Sequence, residues 1–340
     1  MVFVTNSFKN RLIHFNQKFI KMFIEQGFKT ENPFWKYLLG SLAVILVSSI
    51  GQMPWMLAIY IKTVIQDKKV FPTEESVMMR ALDSNLTLFL LTLSFAIGLG
   101  TLFLVIKHFH NQTILSVTTS RPKIDWKRIL FSFSLWTIFT IIITIISYYS
   151  APELFVFNFK FIPFLILFAI ATIMIPIQTS CEEYIFRGYL MQGFANLSKN
   201  KWFPLLTTSI IFGSMHLMNP EVTKMGYSIM IYYIGTGLFL GILTLMDEGL
   251  ELSLGFHAAN NLIGALLVTA DWTVFQTNSI LIDKSEPEIF SGILLPVFII
   301  YPILLIIFSK KYNWNNWTEK LTGEIQRNSE LYSEKRLYNE

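Results

Sequence analysis

Long apolar runs alternate with short charged stretches along most of this chain. A helix needs roughly 20 apolar residues to cross the hydrocarbon core of a bilayer, and about eight uncharged runs approach that length. The pattern predicts helices over residues 37–60, 86–106, 129–149, 161–179, 202–218, 228–246, 252–270 and 290–308. We therefore expect an all-α, polytopic membrane protein of about eight transmembrane helices.

Composition agrees with this fold class. Apolar residues make up 53% of the chain, charged residues 15%, and the mean hydropathy is +0.49, whereas soluble domains carry about 25% charged residues. Thirty-one Phe against one Cys exclude a disulfide-stapled secreted scaffold and a disordered tail protein. The long apolar runs make the lipid bilayer the expected partner, and nothing in the composition or the net charge of +4 suggests nucleic acid.

Basic residues concentrate in the first 36 residues, the second-to-third loop, the fourth-to-fifth turn and the C-terminal tail. By the positive-inside rule both termini are expected in the cytoplasm, with the protein spanning the plasma (inner) membrane several times. The turn between helices six and seven is an exception, because Asp247, Glu248 and Glu251 are all acidic. We predict a cytoplasmic segment over 1–35, a transmembrane domain over 36–309 and a polar cytoplasmic tail over 310–340.

The N-terminal segment carries apolar residues at helical spacing. Such a stripe fits either an amphipathic helix in the membrane interface or an ordinary helix that packs on the body of the protein. The stripe consists of Phe8, Leu12, Phe15, Phe19 and Met22.

Ionisable side chains inside apolar segments are the informative ones, since each costs about 2.5–3.5 kcal/mol unless a partner or water receives it. These residues, with two neighbouring amides, are Glu182, Glu183, Arg187, His216, His257, Asn260 and Asn261. Glu183 precedes Arg187 by four positions, which favours a structural ion pair. Glu182 is turned about 100° away. It shares its face with Gln178 and is expected to lack a partner from its own helix.

The polar residues near Glu182, His216 and His257 can lie at the same depth in the helical bundle. His257 shares a helix face with Asn261, four residues later. Asn260, three residues after His257, could also share that face. Glu182 and His216 are equally far along the chain from Lys199, which we take as the tip of the hairpin between helices four and five. We therefore expect the catalytic residues to lie within the helical bundle, on helices four, five and seven.

An unpaired acid beside a histidine is suited to general base catalysis. We expect Glu182 and His216 to deprotonate a water that attacks a peptide carbonyl, while His257 and Asn261 stabilise the oxyanion. Glu183 and Arg187 would hold the helices in place without touching the substrate.

Four other interpretations use the same residues or their neighbours. Glu182, His216 and His257 are the ligand types of a catalytic zinc site, although the chain contains no His-Glu-x-x-His motif; apart from this zinc alternative, no cofactor is expected. Cys181 could act as a thiolate nucleophile. The acid and histidines could also serve a proton- or ion-coupled transporter, or persist in a non-catalytic immunity-type protein.

Three motifs follow one another along the chain: Glu-Glu-x-x-x-Arg at Glu182, Glu183 and Arg187, Phe-x-x-x-His at Phe212 and His216, and His-x-x-x-Asn at His257 and Asn261. In this order they resemble the CPBP (CAAX protease and bacteriocin-processing, or Abi) family of intramembrane endopeptidases, similar to type II CAAX prenyl proteases. The resemblance implies an eight-helix fold with its peptidase core at 161–270 and a site open to the cytosol. It also implies glutamate-dependent hydrolysis of a membrane-associated or lipidated peptide or protein.

Overall fold

The computed structural model describes residues 22–28, 32–198 and 200–325. Its main helices are α1 Phe34–Gln66, α2 Ser84–Phe109, α3 Trp126–Ser150, α4 Phe161–Ala195, α5 Trp202–Ser214, α6 Ile229–Asp247, α7 Glu251–Leu267 and α8 Phe290–Tyr312. The expected all-α polytopic membrane class is confirmed. In this described part, six helices are long and apolar enough to cross a membrane. The exceptions among the eight expected helices are α5, with 13 residues, and α7, with 17.

Two helix boundaries differ from prediction in ways that affect the polar residues. The fourth helix was predicted to end at residue 179, but α4 continues through a π-helical stretch, Tyr184–Leu190, to Ala195. It continues because the charges of Glu183 and Arg187 neutralise each other. The fifth was predicted to reach residue 218, but α5 ends at Ser214, since Pro220 starts a new helix after a short turn.

Short elements connect the main helices. Helical turns occupy Ile24–Phe28, Glu75–Met79, Ile114–Thr118, Pro152–Leu154, Pro220–Met225, Gly226–Ser228 and Trp317–Thr322. A small sheet contains β1 Phe155–Phe157, β2 Val268–Thr269 and β3 Leu281–Asp283, in the order β1-β3-β2. β3 pairs antiparallel with β1 and parallel with β2. The seventh helix, predicted to reach residue 270, therefore ends at Leu267, where the chain becomes extended.

Helix α7 lies inside the bundle and packs on α3, α4 and α6. The approach to α3 is close: a side chain at Gly255 would collide with the Ile129 carbonyl. Leu252 and Phe256 are fully buried in a cluster with Trp136 of α3. In turn, α2 packs between α1 and α4, while α6 packs on α5 and α8. The polar face of α7 is thus directed at α4 and α3.

The acidic turn between α6 and α7 is neutralised by basic side chains. Arg121 reaches Asp247 at 3.0 Å and Glu251 at 3.1 Å, Arg128 also contacts Asp247, and Lys320 lies 3.3 Å from Glu248. These contacts explain how three acidic residues are tolerated at the end of the bundle that also carries the basic loop between α2 and α3. The predicted N-terminal stripe up to residue 21, the hairpin tip at Lys199 and the tail beyond residue 325 lie outside the described residues.

Candidate active site

Glu183 and Arg187 form the buried centre of the site, and both side chains are completely inaccessible to solvent. Arg187 Nη1 lies 2.9 Å from Glu183 Oε1, so the expected ion pair is present. Its Nη2 donates to the Gly237 carbonyl at 3.3 Å, and its guanidinium stacks 4.1 Å from the centroid of the Phe212 ring. One ion pair on α4 therefore also contacts α5 and α6.

Glu183 also fixes the orientation of His257. The Glu183 Oε1 atom lies 2.7 Å from His257 Nδ1, and since a carboxylate only accepts, His257 donates this hydrogen bond. The other ring nitrogen, Nε2, lies 3.7 Å from Glu182 Oε2, beyond hydrogen-bond length. His257 is thus placed between two carboxylates, one of which holds its ring.

Glu182 has a partner on its own helix, and the expectation that it has none was wrong. Gln178, one turn earlier on the same face, donates from Nε2 to Glu182 Oε1 at 2.5 Å. The Glu182 side chain keeps 13% of its surface exposed, whereas Glu183 keeps none. Glu182 therefore has one oxygen bound by Gln178 and one directed toward His257.

His216 lies in the turn that follows α5 and closes the end of that helix. Its Nδ1 lies 2.8 Å from the Phe212 carbonyl, one of the last carbonyls that the helix leaves without an internal partner. Because a carbonyl only accepts, Nδ1 carries the proton, and neutral His216 offers an unprotonated Nε2. The ring stacks on Tyr233, with centroids 4.2 Å apart, and interacts electrostatically with Glu182 and His257.

Phe212 separates the two histidines. Its ring centroid lies 4.8 Å from that of His216 and 6.1 Å from that of His257, and the residue is 2% exposed. Arg187 covers the same ring. The Phe-x-x-x-His motif therefore places an aromatic spacer as well as a histidine at the site.

The two asparagines of α7 have different surroundings. Asn261 donates from Nδ2 to Gln178 Oε1 at 3.1 Å, and Gln178 is the side chain that binds Glu182. Asn260 donates to Asn261 Oδ1 at 3.0 Å and accepts from the Trp136 indole at 3.1 Å. Asn261 is thus linked to the acid through Gln178, and Asn260 faces α3.

Three further residues contact the predicted site residues and were not expected there from the sequence: Gln178, Trp136 and Tyr233. Gln178 could have been found, because it lies four residues before Glu182 on the same helix face. For Trp136 and Tyr233 the sequence offers no signal, since their contacts depend on how α3 and α6 pack. The structure brings together all of the expected residues and adds these three.

The arrangement bears on the two alternative nucleophiles. Within the ranges that the structure describes, no group of three or more His, Cys, Asp or Glu side chains is placed to hold a metal ion. Both histidines direct Nδ1 to protein acceptors, which leaves Nε2 as the ring nitrogen of each that is available for a proton or a ligand. Cys181 is buried, and its Sγ lies beside Gly98 of α2, on another side of α4.

The chain is similar in sequence to one family model and to one bacterial protein. Residues 160–263 match the family model described as Rce1-like, type II CAAX prenyl endopeptidase. The chain is also 29% identical over 245 residues to the uncharacterized protein YyaK of Bacillus subtilis (strain 168), covering 72% of this chain and 81% of that protein. No solved structure matches.

The matched segment contains every residue of the three motifs. At the family level it supports a multi-pass membrane protein of the CAAX-type intramembrane protease class. The resemblance that the motifs indicated is thus confirmed by the match of residues 160–263 to the Rce1-like family model of type II CAAX prenyl endopeptidases.

Proposed function

We propose that this protein is an intramembrane endopeptidase that hydrolyses a peptide bond of a membrane-associated or lipidated substrate. The observation that carries the proposal is the different environment of two adjacent carboxylates. Glu183 is fully buried and bound by Arg187 and His257, whereas Glu182 keeps Oε2 directed toward His257 without a hydrogen bond to it. Glu182 is therefore the carboxylate free to accept a proton.

In the first step, Glu182 takes a proton from a water, and the resulting hydroxide attacks the carbonyl carbon of the scissile peptide bond. The unprotonated Nε2 of His216 is a second acceptor that orients this water. When the tetrahedral intermediate collapses, the C–N bond breaks and protonated Glu182 returns the proton to the leaving amine. One residue thus serves as base and then as acid.

His257 and Asn261 are the donors for the oxyanion. His257 donates from Nδ1 to Glu183, and its Nε2 lies on the side of Glu182, where the doubly protonated ring donates to the oxyanion. Asn261 has two N–H groups on Nδ2 and gives one to Gln178, which leaves one for the substrate. Removing one such donor typically lowers kcat about 100- to 1,000-fold.

The test compares wild type with Glu182→Gln in detergent or vesicles, using a fluorophore–quencher peptide that ends in a farnesylated CAAX sequence. Glu153→Gln, which alters an exposed carboxylate remote in sequence from the motifs, is the matched control. We expect cleavage by wild type and the control and at least a 1,000-fold loss in Glu182→Gln. Equal cleavage by Glu182→Gln, or proton flux through vesicles without cleavage, would contradict the proposal.

Two further measurements address zinc and the natural substrate. Metal analysis of the purified protein, with activity measured in chelator, separates a zinc-activated water from a carboxylate-activated one. Comparative proteomics of membranes with wild type or Glu182→Ala identifies peptides that accumulate uncut. A metal present at one equivalent and required for activity would replace the glutamate mechanism.

We also propose that both termini lie on the cytoplasmic side of the plasma membrane, because Arg121, Arg128 and Lys320 lie together at the end of the bundle that holds the α6–α7 turn. Labelling of Lys311→Cys in a Cys181→Ser background by a membrane-impermeant maleimide tests this. Labelling only after the membrane is opened is the expected result, and labelling in intact cells would reverse the orientation.

A further inference from the structure

Four hydrogen bonds form a continuous chain that ends at Glu182. Trp136 Nε1 donates to Asn260 Oδ1 at 3.1 Å, and Asn260 Nδ2 donates to Asn261 Oδ1 at 3.0 Å. Asn261 Nδ2 donates to Gln178 Oε1 at 3.1 Å, and Gln178 Nε2 donates to Glu182 Oε1 at 2.5 Å. The chain joins α3, α7 and α4 and links the proposed base with one proposed oxyanion donor.

The two ends of the chain set its direction. An indole N–H can only donate, and an ionised carboxylate can only accept. Each of the three amides in between must therefore direct its nitrogen toward Glu182 and its oxygen toward Trp136. Turning any one amide over would bring two donors or two acceptors together, which is costly at a mostly buried site.

We propose that Gln178 is a positioning residue of the peptidase: it binds Glu182 Oε1, so that Oε2 is the oxygen that exchanges the proton, and it holds Asn261 in register with that acid. The inference rests on the proposed function. A glutamate side chain rotates about three bonds, so an acid bound at one oxygen presents the other in a fixed place. Fixed geometry of this kind accounts for large rate factors in catalysis.

The simpler interpretation is that Gln178 is a buried amide, 4% exposed, that satisfies its hydrogen bonds between helices. The two interpretations differ in what a substitution changes. A purely structural amide affects stability alone. A positioning amide also affects kcat while leaving the KM for substrate nearly unchanged.

The first experiment needs no substrate. The full chain in detergent is compared as wild type, Gln178→Glu, and Gln178→Glu combined with Glu182→Gln. The single change sets two carboxylates against each other, so its unfolding midpoint falls. In the combined variant the new amide at position 182 donates to the new carboxylate at position 178, which still accepts from Asn261, so the midpoint recovers. A combined variant no more stable than Gln178→Glu would show that the directed chain of hydrogen bonds is absent.

The second experiment measures cleavage of the farnesylated CAAX peptide by Gln178→Met, which has similar length but no hydrogen bonds. We expect kcat to fall about 10- to 100-fold with KM within about twofold. Thr179→Val is the matched control, because the Thr179 hydroxyl bonds only to the carbonyls of Ile175 and Pro176 in its own helix. Unchanged kcat in Gln178→Met would overturn the positioning role.

The two proposals can fail separately. If Glu182→Gln abolishes cleavage while Gln178→Met keeps full kcat, the peptidase stands and the role of Gln178 is wrong. If Glu182→Gln cleaves as well as wild type, or wild type does not cleave, the positioning role falls together with the peptidase. The midpoint comparison then still decides whether the directed chain of hydrogen bonds exists.

Discussion

Removing the positive charge of Arg187 should strongly destabilise the fold. In Arg187→Met the side chain keeps much of its length and apolar volume, but Glu183 remains fully buried without its guanidinium partner. The substitution also removes the hydrogen bond to the Gly237 carbonyl and the stacking on Phe212. A buried carboxylate that loses its counter-charge is among the costliest defects that one substitution can create.

The size of the effect follows from the distance. Two unit charges 2.9 Å apart attract by about 6 kcal/mol at an effective dielectric constant of about 20. Desolvation of both groups offsets part of this attraction in the intact pair. Because the carboxylate stays buried after Arg187 is replaced, we expect a loss of about 3–5 kcal/mol in the free energy of unfolding.

The assay is equilibrium unfolding in mixed micelles of mild detergent and SDS, followed by the fluorescence of the eight Trp residues. Lys224→Met is a matched control, since it removes a cation from a more exposed pair with Glu286 and should cost less than about 1 kcal/mol. Combining Glu183→Gln with Arg187→Met removes both buried charges and should recover more than half of the loss.

Two results would refute this reasoning. A loss in Arg187→Met no greater than that in Lys224→Met would show that the buried charge is not stabilised by its partner. A double variant as unstable as Arg187→Met would assign the loss to packing on Phe212 and Gly237 instead of to the unpaired Glu183.

Three other predictions concern pH, packing and the thiol. Burial lowers the pKa of His110 from 6.5 to about 4, so the unfolded chain binds this proton before the folded chain does as pH falls. The stability that is present above pH 6.5 is therefore lost toward pH 4. His110→Gln should remove about 3 kcal/mol of that loss, measured by comparing unfolding midpoints at neutral and acid pH. A side chain at Gly237 would meet the Ser209 carbonyl at 2.9 Å, so Gly237→Val should lower the free energy of unfolding by about 1–3 kcal/mol. Gly100→Ala places its methyl where no atom lies within 4 Å and should stabilise α2 by about 0.5–1 kcal/mol. Equal unfolding midpoints for the two variants would contradict the close approach of α5 and α6. Cys181→Ala should cleave the farnesylated peptide within about twofold of wild type, and loss of cleavage in a folded variant would point to a thiol nucleophile.

Part of the site was accessible from local spacing. A separation of four residues predicted the Glu183–Arg187 pair because the helix itself brings those side chains together. The same rule placed His257 and Asn261 on one face of a helix. The rule gave no information on the two oxygens of Glu182, one bound by Gln178 and the other facing His257.

The ends of helices were less accessible because they depend on contacts outside the helix. Charged residues interrupt the apolar run after residue 179, yet α4 continues to Ala195, with Glu183 and Arg187 paired inside the bundle. The uncharged run after Trp202 continues past His216, but the helix stops at Ser214 and His216 binds the carbonyl left open there.

The sequence by itself determined the membrane class, the approximate segments of the bundle and the residue types at the site. These follow from partition of apolar side chains into lipid and from backbone hydrogen bonds between near neighbours, both of which are local properties of the chain. Only the tertiary structure decided that His257 lies between Glu182 and Glu183, and that hydrogen bonds running from Trp136 end on the acid. Polar groups buried in a bundle must find partners on whichever helices pack against them, and that packing joins segments far apart in the sequence.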